Sequence, residues 1–227
     1  MAYIGFNGKA RKVKSVYIGV NNVARKVTTG YVGVNDTARK WWGEENELTY
    51  PTMKGKKWIG NDLRRYITKI TIVDYHTPSN PDQSWGIGLY YPNDVMAYRY
   101  GTEIIISGNG SGRIYTPWDA SCLFGGDEDE VVSSPDVTYN FYNLTEINGL
   151  TLLDTRYTRD MDLMFALSPK ISELDLTSFD THNVESYTQM FWNCSRLYNI
   201  YVDADKWTIT HTKLLTEGSP VDEFTYV

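Results

Sequence analysis

The sequence predicts a mainly β fold: N-terminal β-hairpin repeats followed by a β-rich domain that ends in a short solenoid. Three observations predict it. The 227-residue chain is rich in residues that favour sheets, with 18 Tyr and 7 Trp. Two internal repeats run through it, one of 14 and one of 26 residues. No long segment carries the 3.6-residue periodicity of an amphipathic helix.

The first repeat fills residues 1–42. Tyr3, Tyr17 and Tyr31 stand 14 residues apart, as do Gly5, Gly19 and Gly33, and Ala10, Ala24 and Ala38. Arg11, Arg25 and Arg39 keep the same step, each followed by Lys. Each unit reads as two extended runs around a pair of turn residues: Asn7-Gly8, Asn21-Asn22 or Asn35-Asp36. Asn, Gly and Asp tolerate the positive φ that tight hairpin turns require. A lone hairpin of this size buries no core. The three are therefore expected to stack on each other, on another protein or across subunits, and Tyr3, Arg11, Tyr17, Arg25, Tyr31 and Arg39 are the candidate attachment residues.

Charge divides the chain in the same place. Residues 1–42 hold eight Lys and Arg and one acid, Asp36, whereas residues 43–227 carry a net charge of −13. Such a division implies two jobs. The basic side chains follow the repeat and match no nucleic-acid motif, so nucleic acid is not an expected partner.

Residues 43–59, with the acidic run at Glu44, Glu45 and Glu47, are expected to be a linker. The domain of residues 60–207 opens with strand signals at Ile67, Ile70, Ile72 and Val73, then at Trp85–Tyr91, Val95–Tyr100, Glu103–Ser107 and Arg113–Tyr115. In its second half Asp154-Thr155 recurs as Asp180-Thr181 and Met164-Phe165 as Met190-Phe191, both 26 residues on. Each period is expected to place one short strand, such as Ile171–Leu176, on one face and a short helix or irregular arc on the other. Leu174, Leu176, Met164, Met190, Phe165 and Phe191 are the expected core of that coil, Cys194 a buried apolar residue, and Asn183 a side chain bonded within its own turn. Residues 208–227 form a C-terminal cap or tail.

Chemistry is sparse. His76, His182 and His211 lie far apart without metal-ligand spacing. The loop Gly108–Gly112 fits no phosphate-binding pattern, and two cysteines make no disulfide framework. The acidic run Asp127–Glu130 lacks the alternate spacing of a calcium loop and is expected to be solvated. Asp74, Asp82, Asp94, Asp119 and Glu103 offer carboxylates, but no spacing selects the pair a glycosidase needs. No catalytic residue, metal or cofactor is expected, and the protein is expected not to be an enzyme. Aromatic side chains are the better candidates. Trp85, Tyr90, Tyr91, Tyr98 and Trp118, among neighbouring Asp and Asn, suit a sugar ring or a partner protein. No apolar run is long enough to span a membrane, and the N-terminus lacks the apolar core of a secretory signal.

Two resemblances give these features a context. Tyr17-Ile18-Gly19-Val20-Asn21 and Val23-Ala24-Arg25-Lys26-Val27 resemble the short YIGVNGVARKV repeats of tail and other virion proteins of phages that infect Gram-positive bacteria. This implies a virion structural protein. Leu174-Asp175-Leu176-Thr177-Ser178-Phe179-Asp180-Thr181-His182-Asn183-Val184 and Met190-Phe191-Trp192-Asn193-Cys194-Ser195-Arg196-Leu197 resemble the BspA-like leucine-rich repeat of bacterial surface proteins. That resemblance implies adhesion without catalysis. Tyr187 replaces a usual Met, and Ala166-Leu167-Ser168 lacks the Cys that Cys194 supplies in the next copy.

Together they imply a non-enzymatic tail fibre or receptor-binding protein on the virion surface. Residues 1–42 would contact other virion proteins or build a homo-oligomer, with a trimer favoured. The domain would touch a glycan or protein of the host cell surface. The alternatives are a capsid head fibre or decoration protein, and a bacterial surface adhesin.

Overall fold

The computed structural model describes six strands between residues 3 and 43, then residues 51–126, 140–210, 212–213 and 215–227. The chain is mainly β and divides into two compact units, Met1–Tyr50 and Pro51–Val227.

In the first unit the six strands pair as three antiparallel hairpins. β1 (Tyr3–Phe6) pairs with β2 (Lys9–Lys12), β3 (Val16–Val20) with β4 (Val23–Val27), and β5 (Thr29–Val34) with β6 (Thr37–Gly43). The repeat sets the register. Gly5, Gly19 and Gly33 oppose Ala10, Ala24 and Ala38, while Tyr3, Tyr17 and Tyr31 oppose Lys12, Lys26 and Lys40. Arg11, Arg25 and Arg39 oppose Ile4, Ile18 and Val32. The last hairpin is longer and shifts register between Gly30 and Tyr31. The turn pairs Asn7-Gly8, Asn21-Asn22 and Asn35-Asp36 lie outside the described residues.

The second unit opens earlier than the sequence suggests. Residues 51–59, expected to be linker, send Met53, Trp58 and Ile59 into the core. The Met53 N–H donates to the Tyr115 carbonyl, the Lys54 N–H to the Ile87 carbonyl, and the Trp58 indole to the Leu123 carbonyl at 2.7 Å. This stretch fills a gap between two other segments. It is too short to show a periodicity of its own.

A five-stranded sheet follows, in the order β12-β7-β10-β9-β8. Its strands are β7 (Lys69–Val73), β8 (Gln83–Gly86), β9 (Met96–Tyr100), β10 (Glu103–Ser107) and β12 (Glu146–Asn148). β7 pairs in parallel with β10 and β12, whereas β9 is antiparallel to both β10 and β8. Alternation points Ile70, Ile72, Ile104, Ile106 and Ala97 into the core, all buried. β8 ends at Gly86, short of the expected Tyr91. There the chain doubles back so tightly that a side chain on Gly86 or Gly88 would collide with the backbone of Tyr91 and Pro92. Before β7 lies a one-turn helix, α1 (Asn61–Arg64). Its Arg64 is fully buried, donating to the carbonyls of Gly125 and Lys56 and lying 5.5 Å from the Phe141 ring.

The rest is a coil whose turns bond to one another. β11 (Ile114–Tyr115) runs parallel to β13 (Leu153–Asp154), and β14 (Glu173–Asp175), β15 (Asn199–Val202) and β16 (Thr225–Tyr226) form a parallel sheet. On the opposite side the Phe124 N–H donates to Met164, Phe165 to Met190, and Phe191 to Leu215. That side is an irregular arc of tight turns. Left-handed backbone recurs in it with the repeat, at Leu163 and Gln189 and again at Leu167 and Asn193.

A column of stacked phenylalanines runs through the interior, with Phe179 packed beside it against Phe165. The rings of Phe124, Phe165 and Phe191 stack at centroid distances of 5.7 and 5.8 Å, and Trp58 and Phe224 meet the two ends edge-on. All six expected coil-core residues are buried, and so is Cys194, where burial pushes the thiol up to about 12. Phe124 extends the column one turn before the sequence repeat begins. Residues 208–227 form a cap: Ile209, Leu215, Val221 and Phe224 are buried and β16 extends the sheet. The Asn183 amide bonds the Arg156 carbonyl at 2.8 Å, in the preceding turn rather than its own.

Candidate functional site

The edge of the coil that begins at β11 and β13 gathers more functional groups than any single segment supplies. Register explains it. Ile114 opposes Leu153 and Tyr115 opposes Asp154. Ile114 and Leu153 are buried, so the alternating positions Arg113, Tyr115 and Asp154 belong to the other face, and Arg156 follows in the turn after β13. Arg113 Nη1 lies 3.2 Å from Asp154 Oδ2, and Arg156 Nε 2.9 Å from Asp154 Oδ1. The backbone N–H of Arg156 also donates to Oδ1, so Asp154 fixes both the turn and the side chain that leaves it.

Beside this cluster the Tyr157 ring, 45% exposed, leans on Tyr115 at 5.5 Å with 38° between planes. Tyr115 itself is 5% exposed. Burial holds its phenol above the ordinary range, against the opposing hydrogen bond from Arg113. The Arg113 guanidinium is raised by its bond to Tyr115, and Arg156 by its bond to Asp154. Both stay cationic at any physiological pH.

The next turn repeats the device with different heads. Asp180 Oδ1 accepts from the His182 N–H and lies 2.9 Å from His182 Nδ1. Burial raises the Asp180 carboxyl, but the bonds from His182 outweigh it and the net displacement is downward. One segment along, the Trp118 carbonyl accepts the N–H groups of Arg159 and Asp160, and Arg159 is paired with Glu185. The Trp118 ring is 62% exposed.

The five aromatics expected as a ligand surface do not form one patch. Trp85 is half-buried, packs on the core and donates its indole N–H to the Trp58 carbonyl. Tyr98 is also half-buried and packs against His76, 5.4 Å between ring centroids. Tyr98 opposes Ser84 while Trp85 opposes Ala97, so the two belong to opposite faces of the sheet. Tyr90 and Tyr91 are well exposed, in the tight loop after β8. Trp118 alone sits on the coil edge. For Tyr3, Arg11, Tyr17, Arg25, Tyr31 and Arg39 the structure gives strand positions, as above. Asp127–Glu130 and His211 lie outside the described residues. Among the described residues no group of three or more His, Cys, Asp or Glu is placed to hold a metal ion.

Arg113, Asp154, Arg156 and Tyr157 were missed as site residues. One signal was present in the sequence. The two copies agree at Asp154-Thr155 and Asp180-Thr181, then diverge into Arg156-Tyr157 and His182-Asn183. In a stacked repeat, invariant positions hold the coil together and variable ones face outward.

Residues 130–217 match a protein family described as "Mycoplasma protein of unknown function, DUF285". No curated protein matches, and no solved structure does.

Proposed function

We propose that the protein is a non-enzymatic virion attachment protein of tail-fibre or receptor-binding type. Residues 1–42 join it to other virion proteins or to further copies of itself, with a trimeric stem favoured, and the coil unit meets a glycan or protein of the bacterial surface. The observation that carries the surface-binding half is the coil edge, where Tyr157 stands exposed against Tyr115 beside the charged group of Arg113, Asp154 and Arg156, with Trp118 exposed one segment along. An aromatic face flanked by fixed polar donors suits a sugar ring or a protein surface. The virion half rests on the repeats of residues 3–40. Many copies on one particle would turn weak contacts into lasting attachment where geometry allows simultaneous engagement.

A bacterial surface adhesin is the second reading, resting on the resemblance of residues 174–197 to the repeats of bacterial surface proteins; the family matched by residues 130–217 is described from Mycoplasma without a function. Gold-labelled antibody against residues 60–207 on purified particles separates the two. Label at the tail tip supports the receptor-binding reading, and label over the head makes the protein a capsid fibre or decoration. Label confined to bacterial cells supports the adhesin. Incubation with host wall polysaccharide tests the absence of catalysis: stable pull-down is expected, and release of reducing ends would overturn it.

A further inference from the structure

We propose that Arg113, Arg156 and Tyr157 form a subsite for an anionic sugar, a pyranoside bearing a carboxylate or a phosphate. The inference rests on the surface-binding reading above and names the ligand class.

Charge balance is the first argument. Two guanidiniums converge on the one carboxylate of Asp154, an excess of one positive charge within that group, and Asp180 is the next acid to act on Arg156. Each guanidinium has five N–H donors in a planar fork. Arg156 uses Nε toward Asp154, and Arg113 uses Nη1 there while also bonding Tyr115. Both side chains are partly exposed, at 40% and 47%. The Nη donors of Arg156 match the paired oxygens of a carboxylate or phosphate.

Preorganisation is the second. Asp154 is largely buried, at 14% exposure, and holds Arg156 through backbone and side chain together. Less rotamer freedom then remains to be lost when an anion arrives.

Shape is the third. Tyr157 offers an open ring backed by the buried Tyr115, a flat surface for the C–H face of a pyranose. Of the neighbouring acids, Glu185 is paired with Arg159, while Asp180 accepts hydrogen bonds from His182 and also acts on Arg156. Residues 43–227 nevertheless carry −13 overall. That field opposes a dense polyanion such as a nucleic-acid duplex far more than a ligand with spaced single charges.

The test is a glycan array holding neutral, uronate- or sialate-bearing and phosphate-bearing members, probed with the full-length protein. Binding to anionic members is expected, and which arm responds distinguishes carboxylate from phosphate. Arg156→Gln and Tyr157→Ser should each weaken binding roughly tenfold. Lys69→Gln, on the five-stranded sheet, should leave it unchanged. Circular dichroism checks that each variant is folded; if Arg156→Gln is not, Tyr157→Ser and Arg113→Gln carry the test. Binding to neutral glycans only, or affinity indifferent to Arg156→Gln, overturns the subsite while leaving surface attachment standing. If no glycan binds yet the protein coats bacterial cells, the ligand is a protein and the subsite is again overturned. If neither binds, the surface-binding reading falls with it.

Discussion

The chain contains two repeats that solve the same problem in opposite ways. Each 14-residue unit near the N-terminus closes on itself, β1 with β2, β3 with β4 and β5 with β6. The 26-residue unit does the reverse, handing its backbone donors to the next turn: Phe165 to Met190, Phe191 to Leu215, Leu163 to Thr188. The first design satisfies hydrogen bonds locally but offers little interior. The second builds a continuous interior around a column of stacked phenylalanines, and no turn is complete without its neighbour. Hairpins can therefore be added or lost singly, whereas the coil should stand or fall as a body.

Cutting the ring column is the most direct way to break that contrast. Phe165 stacks on both Phe124 and Phe191 and touches Phe179. Phe165→Ala should cost about 3–5 kcal/mol, read by denaturant unfolding of the whole coil in a single transition. A separate early transition would show that the turns unfold independently.

A smaller blow tests the join between sheet and coil. Gly149 has φ +80°, and a Cβ there would run into the Ile72 carbonyl. Gly149→Ala should cost about 2–3 kcal/mol by the same measurement. A loss no larger than that of an exposed substitution would mean the join is slack.

The bonds between turns are sharpened by Thr181→Val. The Thr181 hydroxyl accepts from the Thr208 N–H at 2.7 Å and donates to the Lys206 carbonyl. Losing it should cost about 1–2 kcal/mol, and slower amide exchange at Thr208 in the variant would contradict the assignment.

Acidity gives a weaker probe. Burial raises the Asp160 carboxyl, with Asp162 and Asp119 adding repulsion against the hydrogen bond from the Asp162 N–H. A carboxyl raised by folding binds its proton more tightly in the folded state. It therefore favours folding below its unfolded pKa and opposes it once pH exceeds the folded one. Asp160→Asn should raise the thermal midpoint at neutral pH, and the gain should vanish on acidification below the ordinary carboxylate range. A gain unchanged by pH would point to packing instead.

The smallest expected signal comes from peptides. Residues 15–28 alone should show weak cross-strand contacts between Val16 and Val27 by NMR, matching the register seen here. Residues 160–185, one turn of the coil, should show none.

Much of this was legible in the chain. The hairpin register follows from the 14-residue repeat, because a closed two-stranded unit is a local object. The 26-residue repeat marks Leu174, Met164, Phe165 and their partners as interior, because stacking puts equivalent residues at equivalent depths. The site was harder to read. Aromatic density points to Trp85 and Tyr98, yet sheet alternation turns the first toward the core and packs the second on His76. Arg113 and Asp154 are 41 residues apart in sequence, and only the pairing of β11 with β13 makes them neighbours.

By itself, then, the sequence determined the β character, the two periods, the residues that line the coil and the split between a basic end and an acidic body. All of these depend on local pairing or on repetition. Tertiary structure alone decided that residues 51–59 enter the core, that Phe124 lengthens the ring column, that Arg64 is buried, and that two arginines share Asp154. Each depends on a contact between segments that follow no common period, and such contacts are set by which surfaces the folded chain brings together.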